Sequence, residues 1–157
     1  MTEAGTTGQM LLGTFRGVQL SVEGLLVPPL LRAALEQGFV MTRGLDRCVA
    51  VFPLSVWQAL LERIEHSTAF LRGAARLFHR YMYAGASVDK LGSEGFVSVP
   101  AHLRIYAELG DEVVLVGVGS RLEIWNPDHW NEEESKMEKQ AEQVSEAFRP
   151  FDFKGCH

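Results

Sequence analysis

The stretch "EGLLVPPLLR", Glu23–Arg32, returns later in the chain as "EGFVSVPAHLR", Glu94–Arg104. The two copies align at an offset of 72 residues, which later drifts to 74. The matched pairs are Pro28 with Pro100, Val27 with Val99, Leu31 with Leu103, Arg32 with Arg104, Glu36 with Glu108, Gly38 with Gly110 and Arg47 with Arg121. Such an ordered run of matches predicts an internal duplication in which each copy is one structural unit.

Each copy has the same order of predicted elements. In the first copy, the apolar and β-branched residues of Phe15–Val27 predict two short strands around a turn. Proline then ends the strand and opens a short helix, which Gly38 closes in the first copy and Gly110 in the second. Two strands follow, "FVMTRG" and "CVAVFP" in the first copy, "EVVLVGVG" and "RLEIWNP" in the second. With turns at Gly44 and Gly119, each half reads β-β-α-β-β.

A half of this size buries too little surface to fold alone, so the halves are predicted to pack as a pseudo-dimer around one joint β core. The predicted organisation is a disordered N-terminus over residues 1–11, a first half over 12–55 and a second half over 84–128. A helical hairpin over 56–83 links them, and an acidic helix and tail occupy 129–157. All 157 residues are assigned in this way.

The predicted peripheral helices carry apolar faces. The first places Trp57, Leu60, Leu61 and Ile64 together, the second Leu71, Ala74, Leu77, Phe78 and Tyr81, and the C-terminal helix Met137, Ala141, Val144 and Phe148. The last of these is a narrow line on a charged helix. It suits docking on the body, docking on a neighbouring subunit, or a solvated helix, and the sequence does not choose among them.

The net charge of −5 is mostly a property of the tail. Residues 12–125 carry 11 basic and 11 acidic side chains, whereas residues 126–157 carry 4 basic and 8 acidic ones. A neutral body neither indicates nor excludes nucleic-acid binding, because that depends on whether basic residues cluster on one face.

The common motifs of catalysis and cofactor binding do not occur in the sequence. The five histidines are scattered singly, and the cysteines Cys48 and Cys156 lie far apart, which fits a reducing, cytoplasmic setting. No apolar stretch reaches the ~18 residues of a membrane span, and the N-terminus lacks the pattern of a secretory signal. We therefore expect no enzyme, no catalytic, cofactor or metal site, and no membrane partner.

Three segments of the chain resemble one family. "FVMTRGLDRCVAVFPLSVW", residues 39–57, is similar to its T-R-G-x-x-x-C-x-x-x-(Y/F)-P-L-x-x-W segment. "RLFHRYMYAGA", residues 76–86, resembles R-x-F-x-R-x-x-x-S-G-A with Ala84 in place of serine, and residues 99–130 resemble the second-half helix and hairpin. The family is MraZ, bacterial transcriptional regulators built from two AbrB-like halves.

The resemblance implies both a fold and a function. The fold is α+β and β-rich, with two β-β-α-β-β AbrB-like halves forming an intertwined pseudo-dimeric barrel and with peripheral helices. The implied partners are double-stranded DNA, at short direct repeats in the promoter of a cell-division and cell-wall gene cluster, and further copies of the chain in a homo-oligomeric ring. The implied location is the cytoplasm, on the nucleoid, and no cofactor is implied.

The chain departs from the family at its D-x-x-G-R motif, whose arginine resembles a DNA contact. Counting back from Pro100, the aspartate position holds Gly92 and the arginine position holds Phe96. In the first half, an ungapped count gives Leu20 and Gly24 for these positions, whereas a one-residue gap makes Gly24 the motif glycine and deletes the arginine. Neither half keeps its aspartate or arginine, so the resemblance implies weakened or altered recognition.

Other basic residues are candidates for DNA contact. Arg16 and Lys90 belong to the first hairpins, and Arg43, Arg47 and Arg121 to the second hairpins. A solvated charge or surface ion pair is the plainer reading of each. Arg32 and Arg104, which open the short helices, are expected to tie the halves together.

Two functions follow from the sequence. One is a DNA-binding transcriptional regulator of the MraZ type with weakened or altered recognition. The other is a degenerate ring-forming structural or interaction protein that no longer binds DNA specifically and assembles with a paralogous subunit.

Overall fold

The computed structural model describes residues 10–67 and 73–147 of the chain. The strands there are β1 Leu11–Ser21, β2 Gly24–Leu26, β3 Phe39–Arg43, β4 Val49–Pro53, β5 Ser87–Asp89, β6 Phe96–Val97, β7 Glu112–Gly119 and β8 Leu122–Trp125. The helices are α1 Pro29–Leu35, α2 Leu54–Glu65, α3 Ala74–Ala84, α4 Ala101–Tyr106 and α5 Pro127–Ala147. Two compact units divide between Asn126 and Pro127.

The strands of the first unit form one antiparallel sheet in the order β5-β3-β4-β8-β7-β1-β2-β6, a nearly closed barrel. Strands of one half pair with strands of the other: β1 with β7, β2 with β6, β3 with β5 and β4 with β8. Exchanging equivalent strands of the two halves leaves the cyclic order unchanged. The prediction of an intertwined pseudo-dimer of β-β-α-β-β halves is therefore confirmed.

Proline organises the passage from strand to helix in both halves. Pro28 and Pro100 have φ of −54° and −56°, and each lies directly before a short helix, where a missing N–H leaves no hydrogen bond unmade. The barrel interior between these helices and the sheet is apolar. Its buried residues include Leu11, Leu20, Leu25, Leu31, Leu35, Phe39, Met41, Val97, Leu103, Val113, Leu115 and Ile124.

A second apolar cluster lies where α2 and α3 cover the sheet. Trp57 and Leu61 of α2 and Met82 of α3 pack against Val40 and Phe52. The face predicted for α2 is confirmed, because Leu60 and Ile64 join this cluster as partly buried residues. The face predicted for α3 is partly wrong: Ala74 and Leu77 are exposed while Phe78, Tyr81 and Met82 face inward, and Leu71 lies outside the described residues.

Two local expectations need correction. β1 begins at Leu11, inside the stretch expected to be disordered, because Leu11 is buried and pairs with Gly119. Gly110 does not close α4. Glu108 takes the left-handed conformation instead, with φ of 54°, and the N–H of Leu109 reaches back to the carbonyl of Arg104 at 2.9 Å.

Helix α5 forms the described part of the second unit. Asp128 lies in its first turn, where the helix dipole favours an anion. Met137 and Val144 on the predicted apolar line are 47% and 52% exposed, and Phe148 lies outside the described residues. Of the helices in residues 10–67 and 73–147, none combines the length and the apolar character needed to cross a membrane.

Candidate nucleic-acid interface

The first-half motif positions lie in the hairpin between β1 and β2. Ser21 pairs with Gly24, so Val22 and Glu23 form a two-residue turn. The Ser21 hydroxyl accepts from the N–H of Glu23 and donates to the carbonyl of Gly24, each at 3.2 Å. The turn projects an apolar and an acidic side chain, because Val22 is 93% exposed and Glu23 is also exposed. Leu20, at the motif's aspartate position, is buried in the barrel core.

The second-half motif positions lie between β5 and β6. A short 3-10 turn, Ser93–Gly95, precedes β6, and the N–H of Gly92 donates to the carbonyl of Phe96 at 2.8 Å. Glu94 is exposed with φ of 67°, and Phe96 is 38% exposed. The connection therefore presents the Glu94 carboxylate, and it presents an aromatic ring at the position where the resemblance implies an arginine.

The pairing of β2 with β6 brings the two connections together. Leu25 pairs with Val97 and Leu26 with Phe96. Leu25 and Val97 differ by the same 72 residues that separate the sequence copies, so the local two-fold axis of the pseudo-dimer passes between them. The N–H of Val27 donates to the carbonyl of Gly95 at 2.9 Å, and the Ser98 hydroxyl to the carbonyl of Glu23 at 3.3 Å. The two motif loops thus form one paired surface.

Gly24 takes the structural place that Phe96 takes in the other half. The ungapped count from the sequence puts Gly24 at the arginine position, and the register of β2 with β6 is compatible with that count. Gly24 has φ of 126°, and a Cβ built there would lie 1.9 Å from the carbonyl oxygen of Val97. A side chain at this position would force the backbone of β2 or β6 to shift, so this geometry offers no side-chain contact with a base or phosphate from position 24.

Arg32 and Arg104, beside the paired loops, hydrogen bond to backbone carbonyls. The Nε of Arg32 donates to the carbonyl of Val27 at 2.8 Å, and the Nε of Arg104 donates to that of Val99 at 2.9 Å. Arg104 also uses Nη2 to reach the carbonyl of Ser21 in the other half, at 2.8 Å. These bonds support the expected structural role, since Arg104 joins α4 of the second half to the hairpin of the first.

Comparison with known proteins gives one family match for each half of the internal repeat. A family described as "MraZ protein, putative antitoxin-like" matches twice, over residues 24–81 and 82–151. The chain belongs to the MraZ family. Its relatives named "Transcriptional regulator MraZ" include proteins of Natranaerobius thermophilus, Heliobacterium modesticaldum and Pediococcus pentosaceus. They are 37%, 38% and 36% identical over 91%, 82% and 87% of this chain, which is 99%, 89% and 95% of their own lengths.

Arg43, one of the basic candidates of this MraZ chain, contacts α3 through its side chain. Its Nη2 donates to the carbonyl of Tyr81 at 2.7 Å, and its guanidinium carbon lies 4.3 Å from the centre of the Tyr81 ring. The side chain is partly buried, so it stabilises the packing of α3 on the sheet.

The two matched turn arginines pair with carboxylates. Arg47 forms an ion pair with Glu108, with side chains 62% and 49% exposed. Arg121 donates through Nε and Nη2 to one carboxylate oxygen of Glu123, at 3.1 and 3.0 Å, and Glu123 also accepts from the indole of Trp125. Arg47 remains open to solvent, whereas Arg121 supports a mostly buried carboxylate.

Arg16 and Lys90 are both exposed. Arg16 lies on β1 where the register with β7 shifts between Phe15 and Val18, and Lys90 directly follows β5. The backbone N–H of Lys90 donates to the side chain of Asp89 at 2.8 Å. The five basic candidates are therefore distributed over separate elements, and the pairing of strands brings together the altered loops instead.

Sequence reasoning missed a partly buried polar link near these turns. The hydroxyls of Tyr81 and Tyr106 lie 2.6 Å apart, and Tyr106 donates to the carbonyl of Gly44 at 2.6 Å. Burial and the bond with Tyr81 raise the pKa of Tyr106 above its usual range. No periodicity could have indicated this link, because it joins α3, α4 and the β3–β4 turn across long stretches of chain.

Burial, helped by the nearby Glu123 carboxylate, raises the pKa of the Cys48 thiol, so it stays protonated and weakly nucleophilic. Across residues 10–67 and 73–147, no three His, Cys, Asp or Glu side chains are grouped to hold a metal ion.

Proposed function

We propose that this protein is a DNA-binding transcriptional regulator of the MraZ type with weakened or altered recognition at the paired loops. The printed names of its relatives supply the functional class. The single structural observation in support is the β2–β6 pairing, which joins the two motif loops into one surface at one end of the sheet. A paired surface suits a duplex, because it presents two equivalent elements to successive groups on DNA.

The weakening follows from the side chains at that surface. Phenylalanine at position 96 and glycine at position 24 cannot form the bidentate hydrogen bonds that a guanidinium makes with guanine or phosphate. Glu23 and Glu94 add exposed carboxylates, which repel phosphate. Each lost base contact costs about 1–3 kcal/mol.

The proposed setting is the cytoplasm, on the nucleoid, at direct repeats in the promoter of a cell-division and cell-wall gene cluster. A homo-oligomeric ring would engage several repeats at once, so a modest affinity per subunit would be enough. We propose no enzymatic activity. Light scattering tests the ring, and a monomer at micromolar concentration would contradict it.

The second candidate is a ring-forming structural or interaction protein that no longer binds DNA specifically and assembles with a paralogous subunit. The favouring observation is the apolar character of the loop surface, where Val22, Leu26 and Phe96 are exposed beside two carboxylates. Such a surface suits a protein partner better than a phosphate backbone.

A fluorescence anisotropy titration separates the two candidates. The full chain is titrated onto a duplex with tandem promoter repeats and onto a scrambled duplex, at ~50 mM and ~200 mM salt, because phosphate contacts weaken steeply as salt rises. The regulator should bind at the lower salt and prefer the repeats. Absence of binding there would favour the second candidate, and equal binding to both duplexes would contradict repeat recognition.

Phe96→Arg sharpens the test. The exposed position should admit a guanidinium, and we expect about tenfold tighter binding to the repeats, the lower end of one base contact. Leu77→Arg is the matched control, because it adds the same charge at a 67% exposed site on α3 outside the loops. An equal gain from both variants would show a general charge effect and no contact from the loop.

A further inference from the structure

A groove lies between α2, α3 and β4, with a volume of about 440 Å³. Its walls are mostly apolar, formed by Leu45, Phe52, Val56, Leu60, Phe78 and Met82. This volume and this lining lie within the range typical of small-molecule sites. The groove belongs entirely to the first unit, and neither motif loop contributes to it.

Small side chains keep the groove open. Ala50 on β4 and Ala59 on α2 contribute only a methyl group each to its lining. Gly44 contributes none, and a Cβ there would lie 2.7 Å from the Cys48 sulfur. Larger residues at the two alanine positions would fill the space between helix and sheet. The small size of Ala50 and Ala59 therefore leaves room for a ligand.

The lining of the groove is cationic. Arg63 and Arg121 both contribute to the lining, and none of the described lining residues is aspartate or glutamate. Arg63 is exposed and makes no ion pair or hydrogen bond with another described residue. Arg121 is partly neutralised by Glu123, which leaves Arg63 as the principal charge available to a ligand.

We propose that this groove binds a small amphipathic carboxylate, with its aliphatic or aromatic body against the apolar wall and its carboxylate at Arg63. The wall supplies burial of apolar surface, and the guanidinium supplies a charge-assisted, bidentate hydrogen bond that an alcohol or an amine cannot make. This site is independent of the DNA-binding function proposed above.

Octanoate is the probe, and methionine methyl groups are the reporters. Met82 lines the groove, Met41 is buried in the barrel interior and Met137 lies on α5. The full chain carries ¹³C-labelled methionine methyl groups and is titrated with octanoate. The NMR resonance of the Met82 methyl should shift until the site is saturated, while the resonances of Met41 and Met137 should stay unchanged. Octanol should bind about tenfold more weakly, and octylamine weaker still, since each lacks the carboxylate.

Two variants test the two ends of the groove. Arg63→Gln should weaken octanoate binding about tenfold, whereas Arg80→Gln, the same charge change at an exposed α3 residue outside the lining, should not. Ala59→Phe should abolish the Met82 shift by filling the groove, with an unchanged Met41 resonance as the check on folding.

Several results would overturn the proposal. These are no Met82 shift at millimolar octanoate, equal binding of octanol or octylamine, or equal losses in Arg63→Gln and Arg80→Gln. A groove covered by a second copy of the chain in solution, detected by light scattering together with an unresponsive Met82, would assign it to subunit contact and would also overturn the proposal.

Discussion

The two halves reach the same end of the barrel through different connections. In the first half, the 11-residue strand β1 turns directly back onto β2 over Val22 and Glu23. In the second half, β5 has 3 residues, and residues 90–95 lead to β6 through a 3-10 turn. The strand–proline–helix segment that follows has the same order of elements in both, so the duplication preserves the scaffold and varies the loop.

This difference has a functional consequence. The first connection is closed to side chains at position 24, where the carbonyl of Val97 fills the space, while the second leaves Phe96 partly exposed. Under the proposed DNA-binding function, a single substitution can introduce an arginine contact in the second half alone. The predictions below test this inequality of the halves, beginning with the largest expected effect.

Gly24→Ala should lower the free energy of unfolding by about 4 kcal/mol, because it combines strained backbone with overpacking. Gly17→Ala is the matched control: its φ of 70° is also left-handed, but no atom lies within 4 Å of the added methyl. Backbone strain alone should cost about 1–2 kcal/mol there. Urea denaturation measures both, and equal losses would show that the approach of Val97 has no energetic weight.

Leu31→Ala and Leu103→Ala should each cost about 3 kcal/mol, as for other buried leucines. These matched residues of α1 and α4 are 1% and 0% exposed, so the losses should agree if the halves contribute equally to the core. Leu30→Ala, at an 81% exposed site beside Leu31, should change little. A large disparity between the matched pair, measured by chemical denaturation, would contradict the equivalence of the two helices.

Arg104→Lys should destabilise the protein by about 2 kcal/mol and Arg32→Lys by about 1 kcal/mol, since hydrogen bonds from charged donors are worth more than neutral ones. Arg104 reaches two carbonyls, those of Val99 and Ser21, and lysine cannot reproduce that fork. Amide exchange of the β1–β2 hairpin should accelerate in the Arg104 variant alone. An unchanged rate of amide exchange in the hairpin would contradict the role of Arg104 as a link between the halves.

Arg121→Gln should cost about 1–2 kcal/mol, because it leaves a largely buried carboxylate without its cation. Arg47→Gln, which breaks the exposed pair with Glu108, should cost less than about 1 kcal/mol. The side chain of Glu123 is 11% exposed and that of Glu108 is 49% exposed, which accounts for the difference. Thermal denaturation with the reverse order would contradict this view of the two turns.

Much of the fold was predictable from the sequence because its signals are local. Each of these signals lies within a few residues of the element that it predicts. They are the prolines at 28 and 100, the apolar runs of β3, β4, β7 and β8, and the repeat itself. The left-handed residue after α4 was not predictable in this way, since Glu108 takes a conformation for which Gly110 was the better candidate by residue type.

The site was less predictable because its contacts are distant in sequence. The carbonyl of Val97 leaves no space for a side chain at Gly24. Arg43 donates its hydrogen bond to the carbonyl of Tyr81, which lies on a different element. The sequence alone does not show whether a basic side chain will donate its hydrogen bonds to a backbone carbonyl of the same protein. The altered motif positions were identifiable as departures, but their pairing into one surface required the strand order.

The exchange of strands between halves also sets when the protein can fold during synthesis. The longest strand, β1, is made first, yet its partner β7 extends to Gly119. Leu20 and Ser21 at the end of β1 can pair with β2 at once, but the rest of β1 lacks its partner until β7 has been made and most of the barrel has left the ribosome. Such long-range pairing slows folding and exposes strand edges to aggregation, so production of this protein should depend on translation speed and chaperone supply.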